Sequence, residues 1–183
     1  RRVSLLEELG TELAKEFNIQ YRTVEADLSE ESAIKKITQA TDDLEVGILI
    51  SNAGTGNVRK FFSAELSEHK YILQLNATSH LSLTHYFGKK MANRKKGGIL
   101  LTGAMGATDG VPYMANEAGT KGYIQSLGKS LHSELKEFGL HVTVLVTPPT
   151  ETPVSYKLGF TKKNTPVQPI SIEQCVNEAL WAL

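Results

Sequence analysis

The sequence predicts an α/β domain built on a parallel sheet with helices over both faces. Short apolar, β-branched runs alternate with longer stretches whose apolar residues recur at helical spacing. Gly, Asn or Pro falls at nearly every join between them. Strands that alternate with helices in this way are joined by right-handed crossovers, and a run that is apolar throughout fits a strand buried on both sides.

Leu5, Leu6, Leu9, Leu13 and Phe17 define an amphipathic helix over residues 3–17. Tyr21 to Ala26 reads as a strand closed by Asp27, and Ser29 as the N-cap of a helix through Thr41. Leu44 to Ser51 is a compact buried strand, broken by Asn52-Ala53-Gly54-Thr55-Gly56. A long helix follows from about Ser67 to Asn93, then Gly97-Gly98 precedes a short strand from Ile99 to Thr102. The third long helix is expected from Pro112 to Phe138, stopped by Gly139. Val142 to Val146 is the next strand, ended by Pro148-Pro149. Residues 148–170 carry five prolines and no periodicity, and read as a loop or lid. Ser171 and Gln174 form a capping box for a last helix.

At 183 residues the chain is expected to form a single domain, 1–183. Lys plus Arg and Asp plus Glu are both 20, so the formal net charge is zero, which argues against a surface made for nucleic acid or anionic lipid. Cys175 stands alone, so no internal disulfide or cysteine metal site is available, and a reducing cytoplasmic location is expected. Val46 to Ile50 is the longest apolar run, broken by Gly47 and far too short to span a membrane. His80 and His85 lie five apart, a poor spacing for a shared metal, and no metal site is expected. The basic run Lys89 to Lys96 reads as a solvated helix end.

Several local motifs fall in one order. Asp27-Leu28 closes the first strand and Asn52-Ala53-Gly54 the second; Asn76 lies in the long helix; Tyr113 leads Tyr-Met-Ala-Asn-Glu-Ala-Gly; Thr150-Glu151-Thr152 follows the last strand. Together they resemble the short-chain dehydrogenase/reductase family, whose members move hydride between a nicotinamide dinucleotide and a carbonyl or alcohol. The resemblance implies a Rossmann-like, doubly wound sheet, incomplete here because the Gly-rich turn and its two strands are expected before Arg1. Without those strands Tyr21 to Ala26 would lack a neighbour, and an exposed central edge would make the chain sticky. Taken alone, Asn52 to Gly54 reads as a strand-ending turn; within the family pattern its small side chains let the backbone approach the dinucleotide.

The resemblance further implies that Asp27 and Leu28 contact adenine, and that Thr150 and Thr152 lie on the nicotinamide side, Thr152 bonding the carboxamide. Arg1 and Arg2 match a basic pair suited to an adenosine 2′-phosphate, favouring NADP over NAD. A homodimer or homotetramer through the two long helices is also implied. The family's centre uses a Tyr, a Lys four residues later, a Ser past the preceding strand and an Asn on the long helix. Tyr113 and Asn76 match, but position 117 is Glu117, and no serine occurs from 97 to 112, which leaves Thr102 as the substitute hydroxyl. Residues i and i+4 of one helix lie about 6 Å apart along the axis, so Glu117 in place of a lysine is expected to oppose the Tyr113 phenolate. Lys121, eight residues after Tyr113, is expected to be too far up the helix to act at the phenol. Two functions stay open: an oxidoreductase using Tyr113, Asn76, Thr102 and Glu117, or a catalytically silent relative kept for nucleotide binding or scaffolding.

Overall fold

The computed structural model describes residues 2–152, 155–156 and 167–183. Arg1 and the middle of the expected lid lie outside the described residues. The chain divides into two compact units, 1–45 and 46–183.

In the first unit, α1 (Val3–Phe17) forms where its periodicity predicts. Its stripe of Leu5, Leu6, Leu9 and Phe17 is exposed, while Gly10 is buried. Gly10 is required there, because a Cβ would overlap the ring of Tyr21. The Tyr21 hydroxyl shares a 2.9 Å hydrogen bond with Thr11 Oγ1 and donates to Glu7 Oε2 at 3.2 Å. Tyr21 to Ala26 has no ladder partner among the described residues, so it is not the strand expected from its composition. Ser29 is not a helix cap either: its N–H and hydroxyl both donate to Asp27 Oδ1, at 3.0 and 2.7 Å. That local turn consumes the side chain, and α2 starts three residues later, at Ser32–Ala40.

The second unit holds the parallel sheet. β1 (Ile48–Ser51), β2 (Gly97–Thr102) and β3 (Leu140–Leu145) lie in the order β1-β2-β3. Ile50 is in register with Leu100, and Leu100 with Thr143. β1 is shorter than the run 44–51, since only its last four residues are in ladder register with β2. α3 (Leu66–Leu73), a π turn (Gln74–Thr78) and α4 (Ser79–Arg94) run on without a break, so the expected long helix is present with one widened turn. α5 (Ala115–Glu134) continues into a 3₁₀ turn, Leu135–Phe138, and Gly139 stops it at φ 72° as expected.

The start of α5 corrects the sequence reading. Tyr113 has φ 66°, a left-handed backbone that a right-handed helix does not admit, so Pro112 and Tyr113 lie outside it. α6 (Ile172–Trp181) is capped at Ser171, whose Oγ accepts from Gln174 N at 3.1 Å. The Gln174 side-chain amide nitrogen donates to Glu178 Oε1 at 2.9 Å.

Alternation along β2 shows how the sheet is covered. Ile99 faces Gly88 of α4 and Leu101 faces Gly128 of α5, whereas Gly98, on the other face, meets Leu183 just past α6. Ile99, Leu101, Met91 and Ile124 are fully buried at this centre. Helices therefore flank the sheet on both faces: α4 and α5 cover one, while the end of the chain past α6 covers the other at β2 and β3 but leaves Ile48 and Ile50 of β1 exposed. No helix among the described residues is long and apolar enough to cross a membrane.

Candidate functional site

The carboxyl ends of β1 and β2 converge with α5 and the π turn, the place where sheets of this kind bind ligands. β1 delivers Ser51 and then Asn52-Ala53-Gly54-Thr55-Gly56, with Asn52 and Gly54 exposed. The π turn places Asn76, wholly buried, against this loop. Its carboxamide accepts from Thr55 N at 2.9 Å and donates to Thr55 O at 2.8 Å and to Thr120 Oγ1 at 3.2 Å. Thr102, the last residue of β2, donates to Asn52 Oδ1 at 3.0 Å. The structure thus brings together Asn52, Ala53, Gly54, Asn76 and Thr102.

It also brings in a residue that the sequence reading set aside. Lys121 is buried, and its Nζ donates to the Thr102 carbonyl at 2.8 Å. A Cβ built on Gly54 would lie 3.4 Å from both Lys121 Nζ and Asn76 Oδ1, so the glycine backbone faces the ammonium directly. Burial pulls the Lys121 pKa below the ordinary lysine value, and the Glu117 charge pulls it back up. Burial likewise raises the Glu117 carboxyl above its ordinary value, against the opposing charge of Lys121. Glu117 Oε2 is buried without a hydrogen-bond partner among the described residues, and the carboxylate lies so close on Gly56 that any Cβ there would overlap it.

Tyr113 stands elsewhere. The residue is 60% exposed and its carbonyl accepts from Arg59 N at 2.9 Å. Tyr113 and Glu117 therefore do not share a helix face, and the electrostatic opposition expected between them on that ground is withdrawn. The two residues do line one cavity of about 190 Å³, with Asn57, Arg59, Phe61 and His69. The four-residue spacing that the resemblance requires, both members on one helix, is met by Glu117 and Lys121. The pair puts a buried carboxyl and a buried ammonium four residues apart on α5. A signal for this lay in the sequence: Lys121 continues the buried stripe of Ile124, Gln125 and Gly128, where a lysine has no reason to be unless it is used.

The remaining expected residues are placed as follows. Arg2 is exposed at the N-cap of α1, and Asp27 turns back on Ser29 beside Leu28. Thr150 is buried and bridges to Ile170, with its hydroxyl on Pro148 O at 3.0 Å. Thr152 Oγ1 accepts from Ser155 N at 3.2 Å, so its hydroxyl caps a local turn. No group of His, Cys, Asp and Glu among the described residues is arranged to hold a metal.

Comparison with known proteins agrees with this architecture. A very-long-chain 3-oxoacyl-CoA reductase-like protein of Arabidopsis thaliana is 33% identical over 147 residues, which are 78% of this chain and 47% of that protein. A 7beta-hydroxysteroid dehydrogenase of Mediterraneibacter gnavus is 25% identical over 153 residues, 84% of this chain and 58% of that one. The chain thus spans about half the length of the curated relatives it matches. Among solved structures, a short-chain dehydrogenase from Sphingobium yanoikuyae in complex with NADPH superposes with TM-score 0.87 at 21% identity, covering 96% of this chain and 69% of that one. A gluconate 5-dehydrogenase from Burkholderia cenocepacia in complex with NADP and tartrate gives TM-score 0.82 at 18% identity, covering 96% and 72%. The profile described as short chain dehydrogenase matches residues 1–163, across the loop, the π turn and the Glu117–Lys121 helix alike, and the chain belongs to that family.

Proposed function

We propose that this chain carries the strand-end site of an oxidoreductase that moves hydride between NADP, or NAD, and a small-molecule carbonyl or alcohol. The observation that carries the reading is Lys121, a buried cation beside Gly54 whose single protein acceptor among the described residues is the Thr102 carbonyl. Burying an ammonium is costly, and a ligand rich in hydroxyl oxygens offers acceptors for its two remaining protons. The residues fit a dinucleotide, since Asn52 and Gly54 are open and the Gly54 backbone leaves room where a side chain would crowd Lys121. A bound nicotinamide would supply or take up the hydride.

In this reading Asn52, Ala53 and Gly54 wall the cofactor, Lys121 donates to its hydroxyls, and Thr102 and Asn76 hold the wall in place. Glu117 carries the proton: its acid form delivers it to the substrate oxygen, and the carboxylate left behind faces Lys121. The raised Glu117 pKa supports that role. Tyr113, on the same cavity, is the second candidate donor. Asp27 and Leu28 at adenine, Arg1 and Arg2 at a 2′-phosphate, and Thr150 and Thr152 at the nicotinamide follow from the resemblance. The family match runs unbroken across the division at Glu45 and Val46, which supports one domain over 1–183. The lone cysteine supports a cytoplasmic location. Exposed Leu81 and Tyr123 on the long helices support a homodimer or homotetramer.

A second reading, a silent relative that binds nucleotide, is favoured by the carboxyl in the phenol's place and by the lack of a serine between 97 and 112. The test is thermal stability with NADPH and NADH, followed by turnover on ketones that include a 3-oxoacyl thioester and a ketosteroid. Stabilisation of about 2.7 kcal/mol is expected at dinucleotide concentrations near a hundred times Kd. Turnover that falls about a hundredfold in Glu117→Gln and less than about threefold in Tyr113→Phe supports the first reading. Stabilisation without turnover, with activity gained in Glu117→Tyr, supports the second. Glu117→Lys is expected to restore nothing, since Lys121 already supplies the cation. No stabilisation by either dinucleotide refutes both readings.

A further inference from the structure

Backbone groups in the loop after β1 have left the sheet ladder and need other partners. Asn76 brackets Thr55 through both its N–H and its carbonyl. One helical turn on, His80 reaches the same loop. Its ring is wholly buried, with Nε2 2.7 Å from the Ala53 carbonyl and Nδ1 2.8 Å from Ser51 Oγ. A carbonyl only accepts, so Nε2 carries the proton; a neutral ring then offers Nδ1 as acceptor, and the Ser51 hydroxyl donates to it. Burial, more than the other groups acting on it, lowers the His80 pKa; the Ala53 and Ser51 backbones raise it, and the Lys121 charge lowers it further. The ring is therefore held neutral, in one tautomer, between the last residue of β1 and the middle of the loop.

We propose that His80 is a positioning residue for the dinucleotide: the relay Ser51–His80–Ala53 sets the path of Asn52-Ala53-Gly54, and so sets cofactor affinity without touching cofactor or substrate. The proposal rests on the functional reading above. Nothing in the spacing of the sequence marked His80, which offered only a poor metal pairing with His85. What marks it is geometry: both ring nitrogens are spent on the strand and loop that the reading assigns to the cofactor.

The experiment compares wild type, His80→Leu and His80→Gln in titrations with NADPH, in steady-state kinetics, and in amide hydrogen exchange. Leucine fills the space and breaks both bonds, whereas a glutamine amide reaches the Nε2 position and can still donate to Ala53. His80→Leu is expected to raise the dinucleotide Kd and KM about tenfold while kcat changes less than about threefold. His80→Gln is expected to recover most of the affinity. Exchange at Ala53 to Thr55 is expected to quicken in His80→Leu, with β2 and β3 unchanged. Affinity within about twofold of wild type in His80→Leu, or no recovery in His80→Gln, overturns the proposal. If wild type binds no dinucleotide, the functional reading fails by itself, and unchanged loop exchange in His80→Leu then overturns the relay. Should His80→Leu fail to fold, nitrogen-15 spectra of the wild-type ring decide: an Nε2–H tautomer supports the relay, and an Nδ1–H tautomer overturns it.

Discussion

Among the described residues, Lys121 and His80 are basic side chains whose pKa values fall chiefly through burial, and they have different remedies for it. Lys121 stays half-answered, with one protein acceptor and an opposing carboxyl nearby. His80 is fully answered as a neutral ring. Its neutrality has a consequence for stability. The folded ring resists a proton that the unfolded ring accepts near pH 6.5, so below that value the unfolded state binds more protons and stability rises with pH. The stability of wild type relative to His80→Gln is therefore expected to be full above about pH 6.5 and to decline by up to about 1.4 kcal/mol per pH unit below it. Urea denaturation of both proteins between pH 7.5 and 5 checks this. A difference that does not vary with pH would mean that the ring titrates freely. At this scale the sequence made legible only where residues stand, as with Asn52 to Gly54 just after β1 and Thr102 at the end of β2, which the structure brings into contact. The bonding of Lys121 and His80 was not, because it depends on burial and on partners far along the chain.

Among the elements, α5 depends on a bare face. A Cβ on Gly128 would overlap Val144 Cγ2 and come within 3.2 Å of Leu101. Helix propensity alone favours alanine there by about 1 kcal/mol, yet overpacking of a close helix–strand contact costs about 1–3 kcal/mol. Gly128→Ala is therefore expected to lower stability by up to about 2 kcal/mol, read from its denaturation midpoint, with α5 still formed. The π turn has a comparable role in the other long helix, because it is the widened turn that carries Asn76 into the loop. Long apolar periodicities and short apolar runs made the helices and three strands legible. Their ends were not, since local chemistry decides them: an Asp27–Ser29 turn delays α2, and a left-handed Tyr113 delays α5. Tyr21 to Ala26 had a strand's composition, but a strand exists only with a neighbour, and pairing is not a local property.

For the molecule as a whole, the parallel order and the helices flanking the sheet follow from alternating periodicities, and that much was readable. What periodicity leaves out is which apolar residues finish exposed. β1 is at the end of the three-strand order, with Ile48 57% and Ile50 53% exposed, and the stripe of α1 is uncovered too. Among the described residues no strand pairs with the outer edge of β1, and an unpaired edge flanked by isoleucines is a template for pairing with another copy. Ile50→Lys is expected to reduce concentration-dependent light scattering while leaving the melting temperature within about 3 °C. Equal scattering from both proteins would place the stickiness elsewhere. The open edge also bears on handling. Because the formal net charge at pH 7 is zero, no long-range repulsion keeps copies of the chain apart. Preparations would then clarify in mildly alkaline, low-salt buffer and cloud near neutrality, however well the interior is folded.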